Sequence, residues 1–435
     1  MMNKAKKIIS KLNNEGFEAY IVGGAVRDSL LGLNPSDIDI ASNATPEEVM
    51  ELFSKAYPSG IKFGTVTVIE DESEFEVTTF RSDGKYVDGR RPEEVVYSQN
   101  IKEDLSRRDF TINAMAMNTN GEIIDLFGGK KDLQKGMIKC VGNPHKRFKE
   151  DALRILRAFR FIARFDDFKV EEETLKAIKS NKENLKNVSC ERVREEISKI
   201  LMTNNVRKTF NLMQEVGVLE IILPEISAMH GVEQNNPHHV YDVFNHTMVA
   251  VENAPNNEIL RWVMLLHDVG KVATKSTDKE GVDHFYKHNI ESMKVAKSLL
   301  SRLNFSNKDK KEILELIEFH DRQIQPSPRA IRRLLNKLQH TSLENLLIIK
   351  KADAKAQSLR YLEPKLANLS KIKSLANTEK KLTVKDLDIN GYDLMSIGLQ
   401  GKDIGIMQRK LLNLVLDNPS INNKKALMKY ARENN

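Results

Sequence analysis

The sequence predicts an α+β fold: an N-terminal α/β head with a small mixed sheet, followed by a long all-α neck, body and tail. Two observations carry this expectation. β-Branched, alternating runs are confined to residues 1–140. From about residue 145 onward, apolar residues recur at spacings of three and four to the C-terminus. A third observation bounds the answer: 435 residues, 40% hydrophobic and 30% charged, suit a folded chain of several domains and exclude general disorder. No apolar run approaches the ~18 residues that span a bilayer. The expected division is a head over 1–140, a neck over 141–200, a body over 201–360 and a tail over 361–435.

The elements follow in order. Met1 to Phe17 reads as an amphipathic helix without the unbroken apolar core of a signal peptide. Phe17 to Val22 is a strand running into Gly23-Gly24, and Ala25 to Leu31 is a helix stopped by Gly32. Asp37 to Ile40 is a short strand. Thr65–Ile69 and Phe75–Phe80 form an antiparallel hairpin. Residues 81–98, rich in Gly, Asp and Arg, read as a loop. Asp125-Leu-Phe-Gly-Gly129 reads as a strand-exit turn. Leu153, Ile155, Leu156, Phe159 and Ile162 mark one apolar helix face, and Leu362 to Lys381 a polar helix or linker. Two cysteines, Cys140 and Cys190, are too few for a disulfide framework or a thiolate zinc site, which fits a reducing cytoplasm.

Three constellations in the first 200 residues carry chemistry. Gly23-Gly24-Ala-Val-Arg27-Asp28 is followed by Asp37-Ile-Asp39. On a strand, residues i and i+2 share a face, so Asp37 and Asp39 present two carboxylates side by side. Such a pair is costly without a cation, and oxygen ligands suit Mg²⁺. Gly-Gly between strand and helix directs backbone N–H groups toward phosphates, and Arg27 adds charge. The Gly-Lys-Ser/Thr ending of a Walker A loop is missing. Arg107-Arg108-Asp109 suits a bidentate grip on a triphosphate or ribose. Asp151 and Arg154 are neighbours at i, i+3, one accepting and one donating hydrogen bonds. Arg154, Arg157 and Arg160 form a stripe expected to lie away from the apolar face.

These motifs, in this order and with Glu191-Arg192-Val-Arg194-Glu-Glu196, resemble the class II tRNA nucleotidyltransferases: the CCA-adding enzymes and their relatives, the bacterial poly(A) polymerases. The resemblance covers residues 17–200. It implies that Asp37 and Asp39 hold catalytic Mg²⁺, with Glu76 a third acidic residue nearby. It implies that Gly24, Arg27 and Arg108 contact the incoming nucleotide, with Arg157 and Arg160 helping. Asp151 and Arg154 would choose CTP or ATP in place of a template strand, with Glu191 and Arg194 bracing their helix. Arg81 to Pro92 resembles the flexible loop of members that add A. The implied partners are tRNA, CTP and ATP, with no membrane and no obligate protein partner.

Further along, His246, His267-Asp268, His288, His320 and Asp353 are a mixed imidazole and carboxylate set that suits a transition metal such as Mn²⁺, Ni²⁺, Fe²⁺ or Zn²⁺, in one or two ions. Their order resembles the HD phosphohydrolase superfamily, which implies a metal-dependent phosphatase or cyclic phosphodiesterase; a relic used for packing or tRNA docking is the other reading. His238, His239 and His284 fit no ligand position. Leu387 to Ala426 resembles the tail of the same nucleotidyltransferases, and Lys402, Arg409, Lys410, Lys424, Lys425, Lys429 and Arg432 suit tRNA backbone contacts. The charge agrees: residues 1–140 carry a net −5, while 141–200, 201–360 and 361–435 carry +4, +3 and +5. The expected function is CCA addition to tRNA, with hydrolysis at the HD site as an additional activity. The alternatives are an A-adding enzyme or poly(A) polymerase, or an HD phosphohydrolase whose non-catalytic head senses RNA or nucleotides.

Overall fold

A computed structural model describes residues 1–35, 37–83 and 95–434. The chain divides into two compact units, Met1–Pro224 and Glu225–Asn435. Most of the loop expected over residues 81–92 lies outside the described residues.

The first unit is built on a sheet of β1 (Ala19–Val22), β2 (Asp39–Ser42), β3 (Ala56–Gly60), β4 (Thr65–Glu70) and β5 (Ser73–Thr79). Then come β6 (Arg81–Asp83) and β7 (Val95–Tyr97), which pair as a separate antiparallel ribbon, and β8 (Met115–Met117) and β9 (Ile123–Asp125). The seven-stranded order is β3-β4-β5-β2-β1-β8-β9, in which β2 and β5 run parallel and the other pairs antiparallel. The expected hairpin is β4–β5. The ends of the expected loop are strands: Arg81 faces Tyr97 in the ribbon.

Local sequence explains the flanking helices. Met2–Asn14 buries Ala5, Ile8, Ile9 and Leu12 at helical spacing and exposes Lys7 and Lys11. Pro46–Leu52 starts at a capping box, in which Thr45 accepts from the Glu48 N–H and Glu48 accepts from the Thr45 N–H. The Asp125 turn is a structural device: its carboxylate accepts the N–H groups of Gly129 (2.8 Å) and Lys130 (2.9 Å), opening the helix Gly129–Gln134. The neck helix Leu153–Arg164 buries Leu153, Ile155, Leu156, Phe159 and Ile162, as its spacing predicts. A small parallel pair, Met137–Ile138 with Lys169–Val170, escaped the sequence reading because two residues carry no detectable alternation.

The second unit is helical apart from the hairpin Lys275–Thr277 with Asp283–Phe285. Five helices form its centre: Val243–Asn253, Glu258–Leu266, His288–Arg302, Asn307–Phe319 and Leu343–Lys355. Four begin where a side-chain oxygen caps them, at Asp242, Asn257, Ser306 and Ser342. Trp262 is fully buried, edge-on to Phe305 at 5.1 Å between centroids. The helix Leu362–Ala376 is mostly exposed and buries only Ile372. The last helices enclose a core of their own, including Leu387, Ile389, Leu394, Leu411 and Leu427. Among the described residues no helix is long and apolar enough to cross a membrane.

Phe159 is fully buried on the inner face of the neck helix. Phe159→Ala is expected to destabilise Met1–Pro224 by about 3–5 kcal/mol. Amide exchange in urea, read within residues 1–224, should show the lowered midpoint.

Candidate functional site

In the first unit the open face of the sheet carries the acidic groups. Asp39 opens β2, and Asp37 lies two residues before the strand and not within it, a correction to the sequence expectation. The alternation survives: Asp37 and Asp39 are exposed, while Ile38 and Ile40 are buried. Glu76 stands directly across the parallel ladder from Asp39. Limited hydration raises the Asp39 carboxyl above its ordinary value, Arg108 opposes that rise and Asp37 adds to it. Limited hydration, then Asp39 and Asp37, raise Glu76 likewise. Asp39 and Glu76, with Asp37 beside them, are a set of oxygen donors for a hard divalent cation, so these residues fit Mg²⁺.

Beside them, Gly23 takes φ +70° to turn from β1 into the helix Gly24–Leu30. A Cβ at Gly23 would stand 2.7 Å from Arg108 Nη1, so the turn and the guanidinium share one space. Arg108 is held by the fully buried Asp104, which also takes Arg107. Arg27 is not presented to solvent. It is 3% exposed, donates to Asp28 and to Asn113 (2.7 Å), and lies near the rings of Phe161 and Phe165. These partners fix its guanidinium between the helix Gly24–Leu30 and Asn113.

The arginines of the helix Leu153–Arg164 each meet a carboxylate. Arg154 pairs with Glu150 (2.9 Å), Arg157 with Asp109 (2.6 Å), Arg160 with Glu196 (2.9 Å) and Arg164 with Asp28 (2.9 Å). Asp151 lies in the break between the helices Pro144–Glu150 and Leu153–Arg164, where Arg192 grips it at 3.2 and 2.7 Å. Asp151 and Arg160 are thus braced by Arg192 and Glu196, next to the expected Glu191 and Arg194. Burial pushes the Asp109 carboxyl up, but Arg157 and Asn113 outweigh it and bring it to about 2.

In the second unit all six expected ligands converge. His246 sits on one helix, His267 ends the next, His288 starts a third, His320 ends a fourth and Asp353 lies on a fifth. Asp268 is central. Its Oδ2 is 3.3 Å from Nε2 of both His246 and His267, and its Oδ1 is 3.4 Å from His288 and 3.7 Å from His320. Asp353 Oδ1 is 3.1 Å from His246 Nε2. Each Nδ1 faces a backbone carbonyl: Ala356, Met264, Phe285 and Ile317 for His246, His267, His288 and His320. That arrangement assigns the proton to Nδ1 and leaves Nε2 as a ligand atom. The Nε2 atoms of His246 and His267 are buried without a hydrogen-bond partner. Two overlapping groups, His246-His267-Asp268 and Asp268-His288-His320, have metal-binding spacing. The residues therefore fit one or two transition-metal ions.

Sequence reasoning gave several neighbours of this cluster no role. Lys271 is buried between Asp268 (2.7 Å) and Gln234 (2.8 Å). Gln357 donates to both oxygens of Asp353 at 3.0 Å. His239 lies with its ring 5.0 Å from that of His246, and burial holds it neutral. Lys271 follows His267-Asp268 closely in sequence and so was visible there. Gln357 and His239 carried no signal of their own. Gly270 lets the His267–Gly270 turn press on the His288 helix, where a Cβ would meet the Ser292 nitrogen at 2.3 Å.

Similarity to known proteins follows the same division. The Poly A polymerase head domain family matches residues 19–139, the probable RNA and SrmB-binding site of polymerase A residues 167–229, and the HD domain residues 238–357. A CCA-adding enzyme of Lactobacillus johnsonii is 32% identical over 98% of this chain and 96% of its own length. One of Lactobacillus helveticus is 49% identical over a shorter stretch, and there the chain spans about half (54%) of the relative's length. The crystal structure of the Bacillus stearothermophilus CCA-adding enzyme in complex with CTP is similar with a TM-score of 0.76 at 27% identity, covering 100% of this chain and 97% of that one. These matches put a Poly A polymerase-type head and an HD domain in one chain. The chain belongs to the CCA-adding enzyme family.

The Asp109–Arg157 pair makes stability depend on pH. Its carboxyl lies at about 2 in the fold against an ordinary 3.8. The contribution is therefore full above 3.8 and is lost as pH falls through 2, on the order of 2 kcal/mol in all. Asp109→Asn should lower stability at neutral pH by about that amount and flatten the acid limb below pH 4. Urea midpoints measured from pH 7 to pH 2 check both.

Proposed function

We propose that this chain adds C, C and A to the 3′ end of tRNA from CTP and ATP, using side chains where a polymerase uses a template strand. The observation that carries the reading is the trio Asp37, Asp39 and Glu76 on one open sheet face, beside Arg108 and the Gly23 turn. The tRNA 3′ hydroxyl attacks the α-phosphate of the nucleotide and pyrophosphate leaves. Asp37 and Asp39, with Glu76 adjacent, would hold Mg²⁺, which when bound activates the hydroxyl and neutralises the phosphate charge. Arg108, oriented by Asp104, and Gly24 at the helix start receive the triphosphate. Arg157 and Arg160 line the nucleotide from the neck, their planes set by Asp109 and Glu196. Asp151 and Arg154 choose the base, exchanging their partners Arg192 and Glu150 for its edge. Rate arises mainly from positioning and charge stabilisation. The protein would act in the cytoplasm.

Purified protein given tRNA lacking CCA should incorporate two C residues from CTP and then one A from ATP. Incorporation of ATP alone would instead mark an A-adding enzyme or a poly(A) polymerase. Asp37→Ala or Asp39→Ala should lower incorporation more than about 10²-fold. Asp151→Ala or Arg154→Ala should relax the choice between CTP and ATP with the fold retained. If Asp37→Ala with Asp39→Ala leaves incorporation unchanged, the head is not the catalyst.

The complete donor set of the second unit favours an additional activity: hydrolysis of a phosphate ester at the HD site. His246, His267, Asp268, His288, His320 and Asp353 would hold the Mn²⁺, Ni²⁺, Fe²⁺ or Zn²⁺ that supplies the nucleophile. With one of these metals, a 2′,3′-cyclic nucleotide should be opened by the native chain and not by His267→Ala. Added chelator should stop the reaction. No turnover with any of the four would leave the cluster as a structural relic.

A further inference from the structure

Tyr392 is 82% exposed, more than any other large apolar or aromatic side chain among the described residues. It stands on the short helix Gly391–Met395, of which only Leu394 enters the tail core. Met395, 53% exposed, follows it on the same face, and Ile406 on the next helix is 48% exposed. Packing gives no reason for an aromatic ring there. The backbone that carries it is nevertheless fixed. The Asn390 side chain accepts from the N–H groups of Tyr392 (2.9 Å) and Asp393 (3.2 Å), and Asp393 accepts from the Asn390 N–H (2.9 Å).

The residue after Tyr392 pairs with a basic helix. Asp393 Oδ1 is 2.6 Å from Lys424 Nζ, which seats Tyr392 at the start of the helix Lys424–Glu433. That helix presents Lys424, Lys425, Lys429 and Arg432 along a shallow groove with Met428 at its floor. The neighbouring acids are neutralised, Asp393 by Lys424 and Glu433 by Lys429. Residues 361–435 carry a net +5. A rigid exposed aromatic beside a basic groove is the arrangement that stacks a nucleobase and follows its backbone. A protein partner for the apolar trio would have to bury this excess of positive charge.

We infer that Tyr392 stacks on an unpaired base of tRNA while Lys424, Lys425, Lys429 and Arg432 follow the adjoining phosphates. The tail then reads an exposed base as well as charge, a step beyond the backbone contacts assigned to its lysines. The identity of the RNA rests on the function proposed above; the stacking does not.

The test is equilibrium binding of tRNA to the full chain over a series of salt concentrations. Tyr392→Ala should weaken binding by about 5- to 100-fold, without changing the slope of log K against log salt. Tyr392→Trp should restore it, and Lys425→Ala should reduce the slope by about one. A fully paired RNA duplex, which offers no free base, should bind the native chain and Tyr392→Ala equally. Native-like tRNA binding by Tyr392→Ala overturns the inference, as does an equal loss on the duplex. Nucleotide addition measured on the same preparations separates the two ideas. A chain that binds tRNA through Tyr392 yet adds no nucleotide defeats the proposed function alone. One that adds CCA with Tyr392→Ala neutral in binding defeats the stacking alone.

Discussion

The arginines of the helix Leu153–Arg164 are held by carboxylates that come from elsewhere in the first unit, and the site depends on that bracing. Asp28 belongs to the helix after the Gly23 turn, Asp109 to the segment after Arg108, Glu150 to the preceding helix and Glu196 to a later one. Asp28, Asp109 and Glu196 are each 6% exposed or less, so each would be costly without its guanidinium. Arginine suits the task because its planar fork keeps donors free in a second direction after one is used. Arg108 shows the same logic: Asp104 takes one edge while Nη1 lies against Gly23. The guanidinium groups are therefore held in place by the fold itself, which meets their ordering cost.

The two acidic sites solve the same electrostatic problem in opposite ways. In the head the carboxylates stay on an open face and are oxygen donors only, which suits a hard, partly hydrated ion and an incoming triphosphate. In the HD cluster the donors are buried and mixed. His246 and His267 are 0% exposed, and backbone carbonyls set their ring orientation. The two carboxylates raise His267 to about 10 against the burial that would lower it, so a proton on the imidazole compensates the acids there. The same compensation is what a transition-metal ion provides, with release of that proton. The tail differs again: it has a small core of its own and a surface where charge and one aromatic ring face outward.

Much of this was legible in the chain itself. The α+β division, the Gly-Gly turn, the Asp37/Asp39 pair and the spaced histidines are local or ordered patterns, which survive without knowledge of packing. Alternation placed Asp37 and Asp39 on one face even though the strand begins only at Asp39. The partners of the arginines were not legible, because an ion pair between Arg164 and Asp28 joins residues 136 apart. A three-residue arginine spacing looks alike whether its far side meets water or carboxylates. For the same reason the burial of Arg27 against Asn113, and the break at Asp151 that Arg192 closes, could not be read from spacing.

By itself the sequence determined which chemical groups this protein carries and in what order, since backbone propensity and side-chain chemistry act over a few residues. The tertiary structure alone decided which groups meet. It set Glu76 across from Asp39, gathered four histidines and Asp353 around Asp268, and left Tyr392 uncovered next to the Asp393–Lys424 pair. Burial and pairing are properties of the packed chain: they depend on what every other element excludes from water, and no local pattern encodes that.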